Sequence, residues 1–281
     1  MADISAKDVA ALRKATGAGM MDCKRALEES DGDIEAAKDW LRKKGLAGAG
    51  KRADRAADQG AVEVVVDGTA GAVVELNCET DFVAKGADFQ NVLGELTALV
   101  AAQGDTDIAN QSFEGATVGE TITQMGAKLG ERIELGRIAR YESTDGILDV
   151  YKHVQNDRGT IGVLVELGGV DPTNADARAV AHDIALHIAS AAPRYVSKDD
   201  VPADALEKER EVLTELTRNE GKPEDAIEKI VTGRLNGFYK DYCLLEQGFV
   251  KEPKTTIAKL VGGLGGDASV RRFVRIKVGE D

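Results

Sequence analysis

Three patterns of apolar and polar positions follow one another along the chain. Up to residue 44 the apolar positions recur every three or four residues, the period of an amphipathic helix. Ser5-Ala-Lys-Asp8 reads as a capping-box-like start, with Asp in place of Glu at the fourth position, and leads into Val9 and Leu12. Glycine in Thr16-Gly17-Ala18-Gly19 ends this first helix, and Asp22 is placed to cap a second through Ala26 and Leu27. After Asp31-Gly32-Asp33 a third helix is expected from Ile34 to Lys44, with Ala37, Trp40 and Leu41 on one face. Gly45 to Lys51 reads as a flexible linker, so a first domain of three helices and linker is expected over 1–55.

From residue 61 the period shortens. Val62 to Val66, the turn at Asp67-Gly68 and Val73 to Leu76 predict a β-hairpin, and Phe89, Val92, Leu93, Leu96 and Val100 predict a helix behind it. Residues 150 to 192 repeat the order: a strand to Val154, a turn at Asn156-Asp157-Arg158-Gly159, a strand from Ile161 to Leu167 and a helix from Ala179 to Ala191. Val73-Val-Glu-Leu76 and Leu164-Val-Glu-Leu167 align the two units. Between them Val118 to Leu129 reads as helix and Glu134 to Glu142 as extended. The fold class is therefore α+β, with two related sheet-plus-helix halves at 56–142 and 143–200 sharing one core.

After Pro193 and Lys198-Asp-Asp-Val-Pro202 the apolar residues thin to a seam among charges. Leu206, Leu213 and Leu216, then Ile227, Ile230, Val231 and Leu235 beyond the break at Gly221-Lys-Pro223, predict a protruding antiparallel helical hairpin, a coiled coil over 201–240. Residues 241–281 are expected to return to the core sheet, through Phe249 to Pro253 and through Arg272 to Val278, the latter alternating like an edge strand.

Charge narrows the function. The chain of 281 residues has a formal charge of −13, which disfavours direct contact with nucleic acid or an anionic membrane. Residues 1 to 55 carry +2 and the remainder −15, so the N-terminal unit differs electrically from the body. A start at Met1-Ala-Asp-Ile without a basic-then-apolar leader, and the lack of an apolar run long enough to span a bilayer, make a cytoplasmic location the expectation. Cys23, Cys78 and Cys243 are too few and too far apart for a disulfide framework or a metal site. Gly45 to Lys51 matches the spacing of a phosphate loop but is followed by Arg52 and preceded by helix. Gly263-Leu-Gly265 imitates a dinucleotide fingerprint without the surrounding strands. His182 and His187 are five apart, on different helix faces, so no metal is expected, and no histidine neighbours Cys78 to make it a nucleophile. Neither cofactor nor self-contained active site emerges, and an interaction protein is the stronger class.

The most distinctive stretch is the acidic turn Asn77 to Lys85 between a strand and a helix. Only 4% of the chain is aromatic, yet Phe82 stands here beside Asp81. Phe82 either staples the entry of the following helix or projects as a contact, and local pattern leaves both open.

Four motifs together, Leu12 to Lys24, Glu79-Thr-Asp-Phe-Val-Ala84, Arg158 to Leu167 and Gln247-Gly-Phe-Val-Lys-Glu-Pro253, resemble the elongation factor Ts family over nearly the whole chain. The resemblance implies a ubiquitin-associated-like N-terminal module, a core of two related halves and an inserted helical hairpin. It implies an exchange factor without covalent chemistry that binds elongation factor Tu and releases its GDP. Thr80, Asp81, Phe82 and Val83 would then form the wedge at the partner's magnesium site, with Gly19, Met20, Met21 and Lys24 against the same GTPase domain. His187 would meet another domain of that partner. The competing reading is a ubiquitin-associated-type adaptor, with Gly17 to Met21 as its binding loop; the two differ in whether the 80–84 turn is exposed.

Overall fold

The computed structural model describes residues 4–280, with the side chains of Leu46, Ala47 and Lys51 outside the description. In chain order the elements are α1 (Ala6–Thr16), α2 (Met20–Glu29), α3 (Ile34–Arg52), β1 (Gln59–Asp67), β2 (Ala70–Cys78), α4 (Asp81–Ala84) and α5 (Ala87–Gln103). Next come β3 (Ser112–Phe113), β4 (Ala116–Thr117), α6 (Val118–Leu129), β5 (Ile133–Glu142), β6 (Gly146–Gln155), β7 (Arg158–Gly168) and α7 (Ala175–Ala191). The last are α8 (Ala203–Asn219), α9 (Glu224–Tyr242), β8 (Gly248–Phe249), β9 (Glu252–Thr256), α10 (Ile257–Gly262) and β10 (Ser269–Lys277).

Local chemistry sets most helix ends. Ser5 and Asp8 form a full capping box on α1, and Gly17 closes it in the left-handed conformation at φ 65°. Two expectations are corrected. Gly19, not Asp22, is the N-cap of α2, and Asp22 sits in the first turn, where its charge complements the helix dipole. The expected linker at 45–51 is helix: α3 runs on to Arg52 because it lies along α6, where a Cβ at Gly45 would stand 3.5 Å from Ala127 and Arg42 pairs with Glu120 at 3.0 Å. Packing outweighs the low helical propensity of glycine here. The GxxxxGK stretch therefore has the backbone of a helix, not of a phosphate-cradling loop.

The body is built of four layers. β1, β2 and β5 form one antiparallel sheet, and β6, β7 and β10 a second. Alternation along β2 sends Ala72, Val74 and Leu76 toward Phe89, Leu93 and Leu96 of α5, while Val73 faces the other sheet. Along β7, Val163, Val165 and Leu167 face Ile184 and Ile188 of α7, and Leu164 faces the first sheet. The two sheets close on each other through Val62, Val73, Leu148, Leu164 and Ile276. Close approach requires glycine at 162, where a Cβ would lie 2.3 Å from Val62 and 2.8 Å from Val73 side-chain carbons.

The repeat reaches further than the two hairpins. Glu75 and Glu166, the charged residue shared by the two aligned motifs, are both 3% exposed, and each is met by arginine from the third strand of its sheet. Arg137 of β5 grips Glu75 through two nitrogens at 2.9 and 3.1 Å; Arg271 and Arg272 of β10 reach Glu166 at 3.1 and 2.6 Å. Pairing slips by one residue opposite each glutamate, between Val74 and Leu76 on one side and between Val270 and Arg272 on the other. β5 and β10 are thus equivalent.

Helices α8 and α9 pack through Leu206, Leu213, Ile227, Val231 and Leu235. The second hairpin turns on two residues, Asn156 and Asp157, both at positive φ, so Arg158 and Gly159 already belong to β7. Phe249 to Pro253 forms a separate small ladder instead of joining the core sheet.

Candidate functional site

The turn after β2 exposes its aromatic residue. Thr80 caps α4, its hydroxyl accepting from Val83 N at 3.4 Å. Ala84 is fully buried and Val83 packs on the first core, while Phe82, on the outer side, is 83% exposed. The staple alternative fails on geometry: the N-cap of α5 is Gly86, so the staple position is Lys85, and the buried ring is Phe89. Asp81 is bound within the turn to Lys85 at 2.6 Å, and that hydrogen bond holds its carboxyl below the ordinary carboxylate range. Cys78 beneath the turn donates to Thr80 O at 3.1 Å; burial pushes its thiol up to about 12, which removes it as a nucleophile.

Sequence reasoning missed what anchors this turn. Glu131, just beyond α6, accepts from Glu79 N at 3.1 Å, Thr80 N at 3.0 Å and the Thr80 hydroxyl at 2.6 Å. Glu79 accepts from Arg132 N at 2.6 Å and Arg55 at 3.1 Å, and these bonds, the backbone one foremost, lower its pKa. A residue 51 positions away leaves no local signal, so only the fold discloses it.

A second exposed surface lies on the N-terminal helices. Gly19 opens α2 with Met20 58% and Met21 73% exposed, over a groove shared with Ile4, Val9 and Ala10 of the N-terminal segment and α1. Arg13, Lys14 and Lys24 rim it, giving an apolar floor with a basic edge. Lys24 is half exposed and lies 3.7 Å from Glu28.

His187 is elsewhere and inside. It is 1% exposed, so its ring has no surface to offer a partner, contrary to the role expected for it. Val250 N donates to its Nδ1 at 3.2 Å and its Nε2 lies 2.9 Å from Gln247 Oε1, a pattern that selects the neutral Nε2-protonated ring. Desolvation lowers its pKa, and its task is to fasten the 247–250 segment to α7. The other two histidines flank Tyr151, with His182 3.0 Å from Asp149. Among the described residues no group of His, Cys, Asp and Glu is arranged to hold a metal ion, and the three cysteines are free and buried.

The family model for elongation factor TS matches residues 79–280 of this chain, beginning at the anchored turn. The chain belongs to the elongation factor Ts family. It is 48% identical to elongation factor Ts of Thermobifida fusca over the whole of both chains. The match to the Micrococcus luteus protein of that name is 45% over 99% of this chain and all of the other, and the Mycobacterium tuberculosis protein is 45% identical over both chains entire. Membership makes this a translation elongation factor, of the nucleotide exchange class and not a catalyst of covalent chemistry. Among the described residues no helix is long and apolar enough to cross a membrane.

Proposed function

We propose that the chain binds elongation factor Tu and accelerates loss of its GDP by disturbing the magnesium and phosphate site, so that GTP can rebind. The observation that carries this is the exposure of Phe82 on a capped, anchored turn. Nucleotide in such a GTPase is held by backbone amides, a lysine and a magnesium ion that neutralises phosphate charge. A ring and carboxylate inserted beside that site shift the metal's ligands, leave the phosphates less neutralised, and weaken GDP. Thr80, Asp81, Phe82 and Val83 are the wedge, with Val83 and Thr80 holding it and Phe82 and Asp81 entering. Because coupling is reciprocal, bound GDP weakens the factor by the same ratio, and excess GTP drives the cycle forward.

The N-terminal helices, which we take as the ubiquitin-associated-like module, supply affinity: Gly19, Met20, Met21 and Lys24 present an apolar face with a basic rim to the same GTPase domain. The second half of the core meets another part of the partner, and His187 serves that contact indirectly by holding the segment that carries Val250 and Lys251. The net charge supports a protein partner without nucleic acid or membrane, in the cytoplasm. Exposure of Phe82 within the 80–84 turn favours exchange over the adaptor reading. The test is stopped-flow release of fluorescent GDP from elongation factor Tu with and without this protein. Unchanged release at saturating concentrations would refute the proposal.

A further inference from the structure

The turn that carries Phe82 cannot hold its own shape. Four residues of helix make too few internal bonds to persist in water, and a ring that is 83% exposed contributes little packing. What fixes the turn is a node where two distant segments meet it. Glu131 uses both carboxylate oxygens on it, taking the backbone N–H groups of Glu79 and Thr80 on Oε2 and the Thr80 hydroxyl on Oε1. Glu79 answers across the same gap by accepting from Arg132 N. Arg132 also donates to Arg55 O at 2.5 Å, and Arg55 in turn reaches Glu79. Two successive peptide groups and one side chain of the turn are thereby set relative to the end of α6 and to the chain leaving α3.

We propose that Glu131 is a positioning residue for nucleotide release: it sets the direction in which Phe82 projects, and through Glu79, Arg132 and Arg55 it ties that direction to the frame carrying the N-terminal helices. The proposal rests on the exchange reading above. Thr80 is two residues before Phe82, so a rotation at its peptide swings the ring directly. A carboxylate that accepts three donors fixes that rotation, as one acceptor could not. A glutamine at 131 keeps the shape but offers one acceptor oxygen where the two backbone N–H groups use one and the Thr80 hydroxyl the other, so either the backbone pair or the hydroxyl meets an NH2 instead.

The experiment measures GDP release from elongation factor Tu at saturating factor for the parent, Phe82→Ala, Glu131→Gln and the double variant, with half-saturation concentrations and melting curves for each. Where geometry limits a rate, small displacements cost one to two orders of magnitude, so Glu131→Gln is expected to lower the saturating rate about tenfold. The half-saturation concentration should move less than about threefold, because the docking surfaces are intact. The double variant should be within about twofold of Phe82→Ala alone, since a misdirected turn without its ring has no further rate to lose. A parental rate in Glu131→Gln while Phe82→Ala is slow would overturn the positioning role and leave the wedge standing, as would losses that multiply in the double variant. A parental rate in Phe82→Ala would overturn the wedge itself. Should Glu131→Gln melt far below the parent, Thr80→Val removes the hydroxyl that donates to Glu131: a saturating rate as slow as that expected of Glu131→Gln supports the proposal, and a parental rate rejects it.

Discussion

At Phe82 the chain leaves unused the roughly 1.5–3 kcal/mol that burial of a large apolar side chain provides, and a docked partner would recover it. Phe82→Ala should therefore change folding stability by no more than about 0.5 kcal/mol and still slow GDP release, with the deficit shrinking when magnesium is chelated. Asp81→Ala should slow release less, its charge being half exposed and already paired with Lys85. Melting curves and release rates with and without EDTA decide both; a deficit indifferent to EDTA would separate Phe82 from the magnesium site. His187 belongs to stability instead. Its folded pKa lies below the ordinary 6.5, so its contribution is complete above that pH and declines as pH falls through 6.5 toward the folded value, where the unfolded chain takes up the proton first. The melting temperature of the parent should fall between pH 7.5 and 5.5 more steeply than that of His187→Gln. Local pattern could not separate staple from projecting contact at Phe82, because both place an aromatic at the same junction; the exposed ring excludes the staple. The family resemblance gave His187 a surface role, but likeness of sequence carried no information on its burial.

Elements were legible wherever burial is decided by nearest neighbours. Val118 to Leu129 is a helix to the residue, and the strand pairs around Val73 and Leu164 lie where period two put them. α3 was not, because seven residues with three glycines lack local reason to be helical and the reason lies on α6, some 80 residues on. Because the stretch is helix, Gly50→Ala, with open space at its Cβ, should stabilise the N-terminal helices by up to about 1 kcal/mol. A melting temperature no higher than the parent's would return the segment to a linker. On α2, Met20→Ala with Met21→Ala should raise the half-saturation concentration for GDP release about tenfold or more, by loss of apolar contact, and leave the saturating rate near the parent's. Titrations of release against factor concentration separate the two.

For the whole molecule the decisive surface is between the two sheets, where small residues let the backbones approach. Gly162→Ala would set a methyl 2.3 Å from Val62, and the sheets would have to part. A loss of about 1–3 kcal/mol in denaturant unfolding is expected. No loss would mean that the halves slide freely and that their spacing is not fixed. The repeat announced itself in two four-residue motifs, but the third strand of each sheet did not, since β5 and β10 share little with each other beyond an arginine opposite a buried glutamate.

The place of β10 also governs how the chain is made. Elongating from its N-terminus, the polypeptide can close its first sheet once residue 142 has emerged, but β7 waits for residues 269 to 277, behind the whole helical hairpin. Until then its edge is bare and Val163, Val165 and Leu167 are covered only from the side of α7, a template for pairing with neighbouring nascent chains. Interrupted synthesis beyond the hairpin would leave a product with one finished half and one adhesive half, suited to rapid removal by proteases. A protein that serves translation is thus itself exposed to translation's failures for as long as its last strand is unmade.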